Sequence, residues 1–366
     1  MLLSLLILYS AICFYLTQKS SQLAKHFGIV DNPNSAPNRK FQSQPIPLIG
    51  LLGVCLSNSI LMSLLWLCLK YNWFELSNYL NRGLFFEFRL YWILIGGLII
   101  FLAGCFDDKY QLKPKIYFSS IAFGLTIAII FGGLKIEAFS YPFDSFYLKI
   151  GYLPQILAFL WIGACLTATK FLDGHDGLVA SVGIVSFLSI AAIASLPSVN
   201  QPLIVTFSLL WASGLIGFLW FNFPNAKVYL GDGGSTIIGF TIGVLSILSG
   251  AKIATSSTVV GWFILDIVLV MLVRITKYKN LKAIFVGDAN LHWHHRLKQL
   301  GLNKLQVLVV TGLVISITAQ IGTNINTQNK IYVFVTLVLV LVLVFFISLL
   351  INSKKASLNS LKKDNL

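Results

Sequence analysis

Charge is scarce in this sequence. Only 11% of its 366 residues are Asp, Glu, Lys or Arg, while 57% are hydrophobic. A soluble chain of this length needs far more polar surface to cover its globule. With a mean hydropathy of +0.82, the composition therefore excludes a soluble globule and describes an integral membrane protein. Cysteine is sparse as well: Cys13, Cys55, Cys68, Cys105 and Cys165 lie in or beside apolar runs with no paired short spacing, so neither a disulfide framework nor a zinc site is indicated. Internal repeats and low-complexity tracts are absent. The opening run, MLLSLLILYSAICFYLT, has no basic residue before it and no small-residue cleavage site after it, and reads as a retained first helix rather than a cleaved signal.

Apolar runs are what the sequence has in quantity. Eleven are candidates for crossing a hydrocarbon layer of ~30 Å, near 2–17, 46–69, 88–106, 117–133, 152–169, 178–196, 203–221, 235–250, 256–273, 306–321 and 331–352. Their pattern is helical or unpatterned, not the alternation of an outer-membrane barrel, so each span can satisfy its backbone only as an α-helix. The expected fold class is all-α: a polytopic membrane bundle of about 10–11 transmembrane helices. A single membrane domain is expected over 1–352, followed by a basic cytoplasmic tail over 353–366 that contacts anionic lipid.

Basic residues orient the bundle. With the N-terminus outside, twenty of the 27 Lys and Arg residues fall on the cytoplasmic side. Because they are divided among separate loops, the net charge of +14 reflects this bias rather than nucleic-acid binding. The longest polar segments, 18–45 and 274–305, fall on the same side, so the chemistry is expected at the cytoplasmic face of the plasma (inner) membrane.

Of the thirteen acidic residues, Asp107, Asp108, Asp173, Asp176, Asp232 and Asp288 all sit at expected cytoplasmic helix ends or in cytoplasmic loops. One such Asp is a harmless boundary marker; six at one surface repel unless cations neutralise them. Hard oxygen donors of this kind suit magnesium carrying a phosphate substrate. In YLGDGGSTIIGF, Asp232 lies among Gly231, Gly233 and Gly234 just before a helix expected to begin near Ser235. Alone this is a packing or capping turn, but a glycine-flanked helix N-terminus also attracts phosphate. In FLDGHDGLVAS, Asp173 and Asp176 are three apart and share one face if the helical turn continues, with His175 pointing elsewhere. GDANLHWHHRLKQLG concentrates His292, His294 and His295 beside Arg296, groups able to contact phosphate oxygens. Such a histidine cluster could equally hold a transition metal, but no cysteine is near it and the surrounding acids favour a harder ion.

Four motifs, in order and on one face, resemble the polyprenyl-phosphate N-acetylhexosamine-1-phosphate transferases (glycosyl transferase family 4). That family spans the undecaprenyl-phosphate GlcNAc-1-phosphate transferases and the phospho-MurNAc-pentapeptide transferase. Asp107 and Asp108 with Leu112, Pro114 and Lys115 are similar to its Asp-Asp motif, FLDGHDGL to Asp-Gly-x-Asp-Gly-Leu, AKVYLGDGGS to Gly-Asp-x-Gly-Ser, and HWHHRL to His-x-His-His. The resemblance runs from FGIVDNPN at 27 to residue 301. Two departures stand out. Thr167 and Lys170 replace a pair of asparagines before Asp173, and Phe41 follows the basic pair Arg39 and Lys40 where the family has His.

The resemblance implies transfer of a sugar 1-phosphate, most readily GlcNAc-1-phosphate, from a UDP-sugar to polyprenyl phosphate with release of UMP. It implies magnesium, or manganese, as cofactor, a first membrane step of cell-envelope polysaccharide synthesis, and no nucleic-acid partner; a homodimer is compatible with it. On this reading Asp107 and Asp108 act on the acceptor phosphate, by positioning, deprotonation or a covalent phospho-Asp. Asp232, with Asp176, holds the metal; Asp173 and Asp176 hold the nucleotide; Lys115, His292, His294, His295 and Arg296 offset phosphate charge. The near alternative is the lipid I reaction on UDP-MurNAc-pentapeptide. A secondary transporter is the alternative from another class, but transporters place ionisable groups near the midplane, and only Asp266 fits that pattern.

Overall fold

The computed structural model describes residues 2–33, 44–70, 89–136, 138–140, 145–147, 151–197, 199–249, 253–278, 292–324, 339 and 342–343. Arg39, Lys40, Phe41, Asp288, most of the expected span near 331–352 and the tail lie outside the described residues.

In chain order the helices are α1 (Leu2–His26), α2 (Leu52–Lys70), α3 (Arg89–Tyr110), α4 (Pro114–Ile130), α5 (Leu153–Leu172), α6 (Leu178–Ala194), α7 (Pro202–Asn222), α8 (Gly231–Leu248), α9 (Ile253–Tyr278), α10 (Trp293–Gln299) and α11 (Lys304–Asn324). Among the described residues five are long and apolar enough to cross a membrane, and four shorter apolar helices accompany them. The all-α polytopic bundle expected from the apolar runs is what the chain forms. Proline stands in the first turn of α4, α5 and α7, where its missing N–H costs no intrahelical bond and its fixed φ suits the helix start.

Helix α8 is the axis of the bundle. Nearly all its residues are buried, and it packs against α3, α5 and α6. Around it α6 lies on α7, α3 on α4, α1 on α7, and α11 on α6 and α9. Lipid tails are as apolar as leucine, so such helices associate through close packing rather than hydrophobic expulsion, which favours small residues at contacts. Gly104 of α3 meets Gly233 of α8: a Cβ on Gly104 would collide with the α8 backbone.

Three boundaries differ from expectation. Helix α3 does not stop before the aspartates but carries Asp107 and Asp108 in its last turn. It ends where Asp107 Oδ1 accepts the Leu112 N–H at 2.9 Å and Gln111 turns to φ +50°. Helix α8 starts four residues early, at Gly231, which puts Asp232 in its first turn. Helix α2 starts at Leu52 because Ile46–Pro47 forms a strand (β2) antiparallel to Val30–Asp31 (β1), and Pro47 C=O accepts the Tyr229 N–H at 2.9 Å. A second short hairpin pairs β3 (Ala138–Ser140) with β4 (Ser145–Tyr147).

Candidate active site

The C-terminal ends of α3 and α5 and the N-terminal end of α8 meet at one end of the bundle. The glycine contact sets this meeting: Asp108 is one helical turn beyond Gly104, so close approach of the two backbones delivers its carboxylate to the first turn of α8. Asp108 Oδ1 accepts the Asp232 N–H at 2.9 Å, and Oδ2 lies 3.4 Å from the Gly233 nitrogen. A helix N-terminus leaves N–H groups without intrahelical partners, and Leu230, at the cap position, has no side chain to satisfy them. Asp108 caps α8 from another helix. Gly231 is required beside it, since it adopts φ +71° and a Cβ there would run into the Asp108 carboxylate.

Asp107 and Asp232 share one ammonium. Lys170, in the last turn of α5, places Nζ 2.7 Å from Asp232 Oδ2 and 3.5 Å from Asp107 Oδ2. It lies 3.7 Å from the centroid of the Tyr117 ring of α4. Asp173, just past α5, is partly buried beside Ser235, Asp232 and Asp108. Burial first, then the charges of Asp232 and Asp108, push its carboxyl well above the usual range.

The expected one-face pairing of Asp173 with Asp176 does not form. Helix α5 ends at Leu172, residues 173–177 turn, and Gly177 at φ +74° opens α6, so the helical spacing is lost between the two acids. Asp176 is buried with its Oδ2 accepting from Lys304 Nζ at 2.8 Å and from the Asn225 N–H at 3.2 Å. It joins the α7–α8 connection to the start of α11.

The histidines form a second cluster. His292 Nδ1 lies 3.0 Å from Asp266 Oδ2, and Asp266 Oδ1 accepts the Trp293 N–H at 3.0 Å. An acid read from sequence only as a lone intramembrane carboxylate thus seats the first residues of α10. Phe171 stacks on His292 with centroids 5.1 Å apart. His294 stands 6.2 Å from His292, 4.3 Å from His295 and 6.3 Å from His175. His175 belongs to this cluster, beside His294, and Gly174 lies against the rings of His294 and His295. Among the described residues, neither ring nitrogen of the buried His294, nor Nε2 of His175, has a hydrogen-bond partner. Burial, reinforced by the neighbouring rings and Lys298, holds His294 well below the usual imidazole range and His295 at about 4, and burial also lowers His175, so the three are neutral donors and acceptors at pH 7. Arg296 is buried on the same short helix. Lys115 is exposed in the first turn of α4 and is not brought to either cluster.

The sequence reading did not reach Lys170, Tyr117, Phe171, His175 or Asp266 as parts of the site. The replacement of asparagine by Lys170 was the available signal; the others are ordinary residues of apolar helices until the fold juxtaposes them.

The donor set tests whether a divalent ion fits. Asp107, Asp108 and Asp232 are hard oxygen donors, yet among the described residues no three His, Cys, Asp or Glu side chains group as a metal site. Asp108 is engaged by amides, and the Lys170 ammonium lies against the facing oxygens of Asp107 and Asp232. As arranged, the site is filled by the chain's own cation and does not fit a metal.

The glycosyl transferase family 4 model matches residues 90–250, which run from α3 through α8. The chain is 33% identical over 307 residues to a probable undecaprenyl-phosphate N-acetylglucosaminyl 1-phosphate transferase of Bacillus subtilis, covering 81% of this chain and 78% of that protein. It is 28% identical over 313 residues to the undecaprenyl-phosphate alpha-N-acetylglucosaminyl 1-phosphate transferase of Escherichia coli K12, covering 82% and 77%. A phospho-N-acetylmuramoyl-pentapeptide-transferase of Borrelia hermsii is 29% identical over 230 residues, covering 58% and 64%.

Proposed function

The chain belongs to glycosyl transferase family 4, and we propose that it transfers N-acetylglucosamine 1-phosphate from UDP-GlcNAc to polyprenyl phosphate, releasing UMP at the cytoplasmic face of the membrane. One observation carries the reading: Asp107, Asp108 and Asp232 converge on the first turn of a buried helix at the end of the bundle that also holds the neutral histidine cluster.

In the reaction an oxygen of the polyprenyl phosphate forms a bond to the sugar-bearing phosphorus of the donor, the bridging P–O bond breaks, and UMP leaves with the bridging oxygen. Such a transfer needs alignment of the incoming oxygen and neutralisation of charge more than covalent chemistry. Asp107, its Oδ1 fixed by Leu112, is suited to orient the acceptor phosphate. The ring nitrogens of His294 and Nε2 of His175, which have no partner among the described residues, suit the donor's diphosphate oxygens, and Lys170 supplies positive charge between the two groups. An apolar cavity of about 770 Å³ between α2, α3, α7 and α8, lined by Phe101, Leu102, Phe207, Trp211, Ile237 and Phe240, gives an isoprenoid tail a path beside α3. Magnesium held by Asp107 and Asp232 would require Lys170 to move aside.

The test is turnover by purified protein in detergent with polyprenyl phosphate and a panel of UDP-sugars, following UMP and lipid product. UMP formed with UDP-GlcNAc, and lost in both Asp107→Asn and Asp232→Asn, supports the proposal. Turnover with UDP-MurNAc-pentapeptide instead gives the lipid I reaction, the reading favoured by the relative in Borrelia hermsii. No turnover of any donor by well-folded protein rejects both.

A further inference from the structure

Lys170 is a lysine at a position where the motif it resembles has asparagine. Its ammonium meets carboxylates from two other helices, at 2.7 Å from Asp232 on α8 and 3.5 Å from Asp107 on α3, and rests 3.7 Å from the ring centroid of Tyr117 on α4. Four helices therefore contribute to one junction, in which a single ammonium faces two carboxylates, with the lysine side chain only one-third exposed. The aromatic face holds an ammonium by its quadrupole without competing for its hydrogen bonds to oxygen. Asp108, the third acid, is already offset by two amides of the α8 N-terminus, so it does not draw the lysine away. Because Asp107 Oδ1 is held by the Leu112 N–H, a divalent ion drawn to Asp107 would meet the oxygen that faces Lys170.

We propose that Lys170 is a resident cation of the active site: it occupies the position between Asp107 and Asp232 and competes with divalent metal for their oxygens. The native chain then binds a divalent ion weakly, and a neutral residue at 170 opens a metal site. Lysine suits the role because its ammonium is a compact point charge with three donors. The inference concerns cation binding in the absence of donor and acceptor, so its test does not depend on the transferase reading.

The experiment titrates the full-length protein in detergent with Mn²⁺, measuring free Mn²⁺ by its electron paramagnetic resonance signal. Lys170→Asn is expected to bind one Mn²⁺ at least about tenfold more tightly than the native chain, because the competing charge is gone while both carboxylates remain. Lys170→Arg, which keeps the charge, is expected to stay as weak as the native chain, and Asp232→Asn added to Lys170→Asn is expected to abolish the gain. Equal affinity of the native and Asn proteins, or tight binding by the Arg variant, overturns the proposal. If Lys170→Asn does not fold, the native protein decides alone through acylation of Lys170 read by mass spectrometry. Binding no tighter than millimolar, or binding accompanied by faster acylation of Lys170, supports competition; micromolar binding that leaves Lys170 acylation unchanged overturns it.

Discussion

Two adjacent aspartates do different work, although sequence presents them as one motif. Asp108 faces the amides of α8 and holds two helices together, whereas Asp107 turns one oxygen to Leu112 and the other toward Lys170. Asp108→Ala removes a cap and is expected to cost about 1–2 kcal/mol, read as a lower unfolding midpoint in detergent. Asp107→Asn keeps its acceptor for Leu112, so the midpoint should hold while UMP release falls about a hundredfold or more, the scale of losing a charged group that aligns and stabilises transferring phosphate. His295 gives a pH dependence. Its folded-state pKa is depressed to about 4 by burial and by the positive neighbour Lys298, with His292 and His175 adding to it, against ~6.5 in an unfolded chain. Between those values the unfolded state binds the proton and the folded state does not, so stability is full above ~6.5 and is lost as pH falls toward 4. His295→Gln should flatten that part of the stability profile, measured as unfolding midpoint from pH 7.5 to 4.5.

At the scale of elements, the contact of α3 with α8 decides whether the site exists. Gly104→Leu would force a side chain into the α8 backbone at Gly233 and part the two helices. Overpacking of this kind costs roughly 1–3 kcal/mol. Because Asp108 lies one turn further along α3, turnover should fall with stability, and the Asp232 amide should lose protection from hydrogen exchange. A drop in stability with turnover and exchange unchanged would show that α8 finds its cap by other means. The element boundaries were legible only in part. Apolar runs marked nearly every described helix core, since hydropathy reports what lies in lipid. They missed the last turn of α3 and the first turn of α8, where polar residues are held in helical conformation by partners 124 residues apart in sequence.

For the whole molecule, alternation of the helices gathers the ends of α3, α5, α7 and α9 with the starts of α4, α6, α8 and α11 at one pole, and that pole carries Asp107, Asp108, Asp173, Asp176 and Asp232. On the proposed reading, the excess of Lys and Arg puts this pole on the cytoplasmic side. Lys113→Cys should then react with a membrane-impermeant maleimide only in permeabilised cells, and Tyr152→Cys, 81% exposed at the opposite pole, in intact ones. The reverse pattern would invert the topology.

Composition and the spacing of apolar runs determined that this is a helical membrane protein, because burial in hydrocarbon demands long apolar helices whatever their arrangement. The motifs identified its family and most of the acids and histidines of the site, since those residue types are needed wherever phosphate is handled. Which carboxylate caps a helix, which pairs with Lys304, and which shares Lys170 was decided only by tertiary structure. These assignments depend on backbones from distant parts of the chain touching at Gly104 and Gly233, and on the turn at 173–177 that sends two nearby acids to different neighbours.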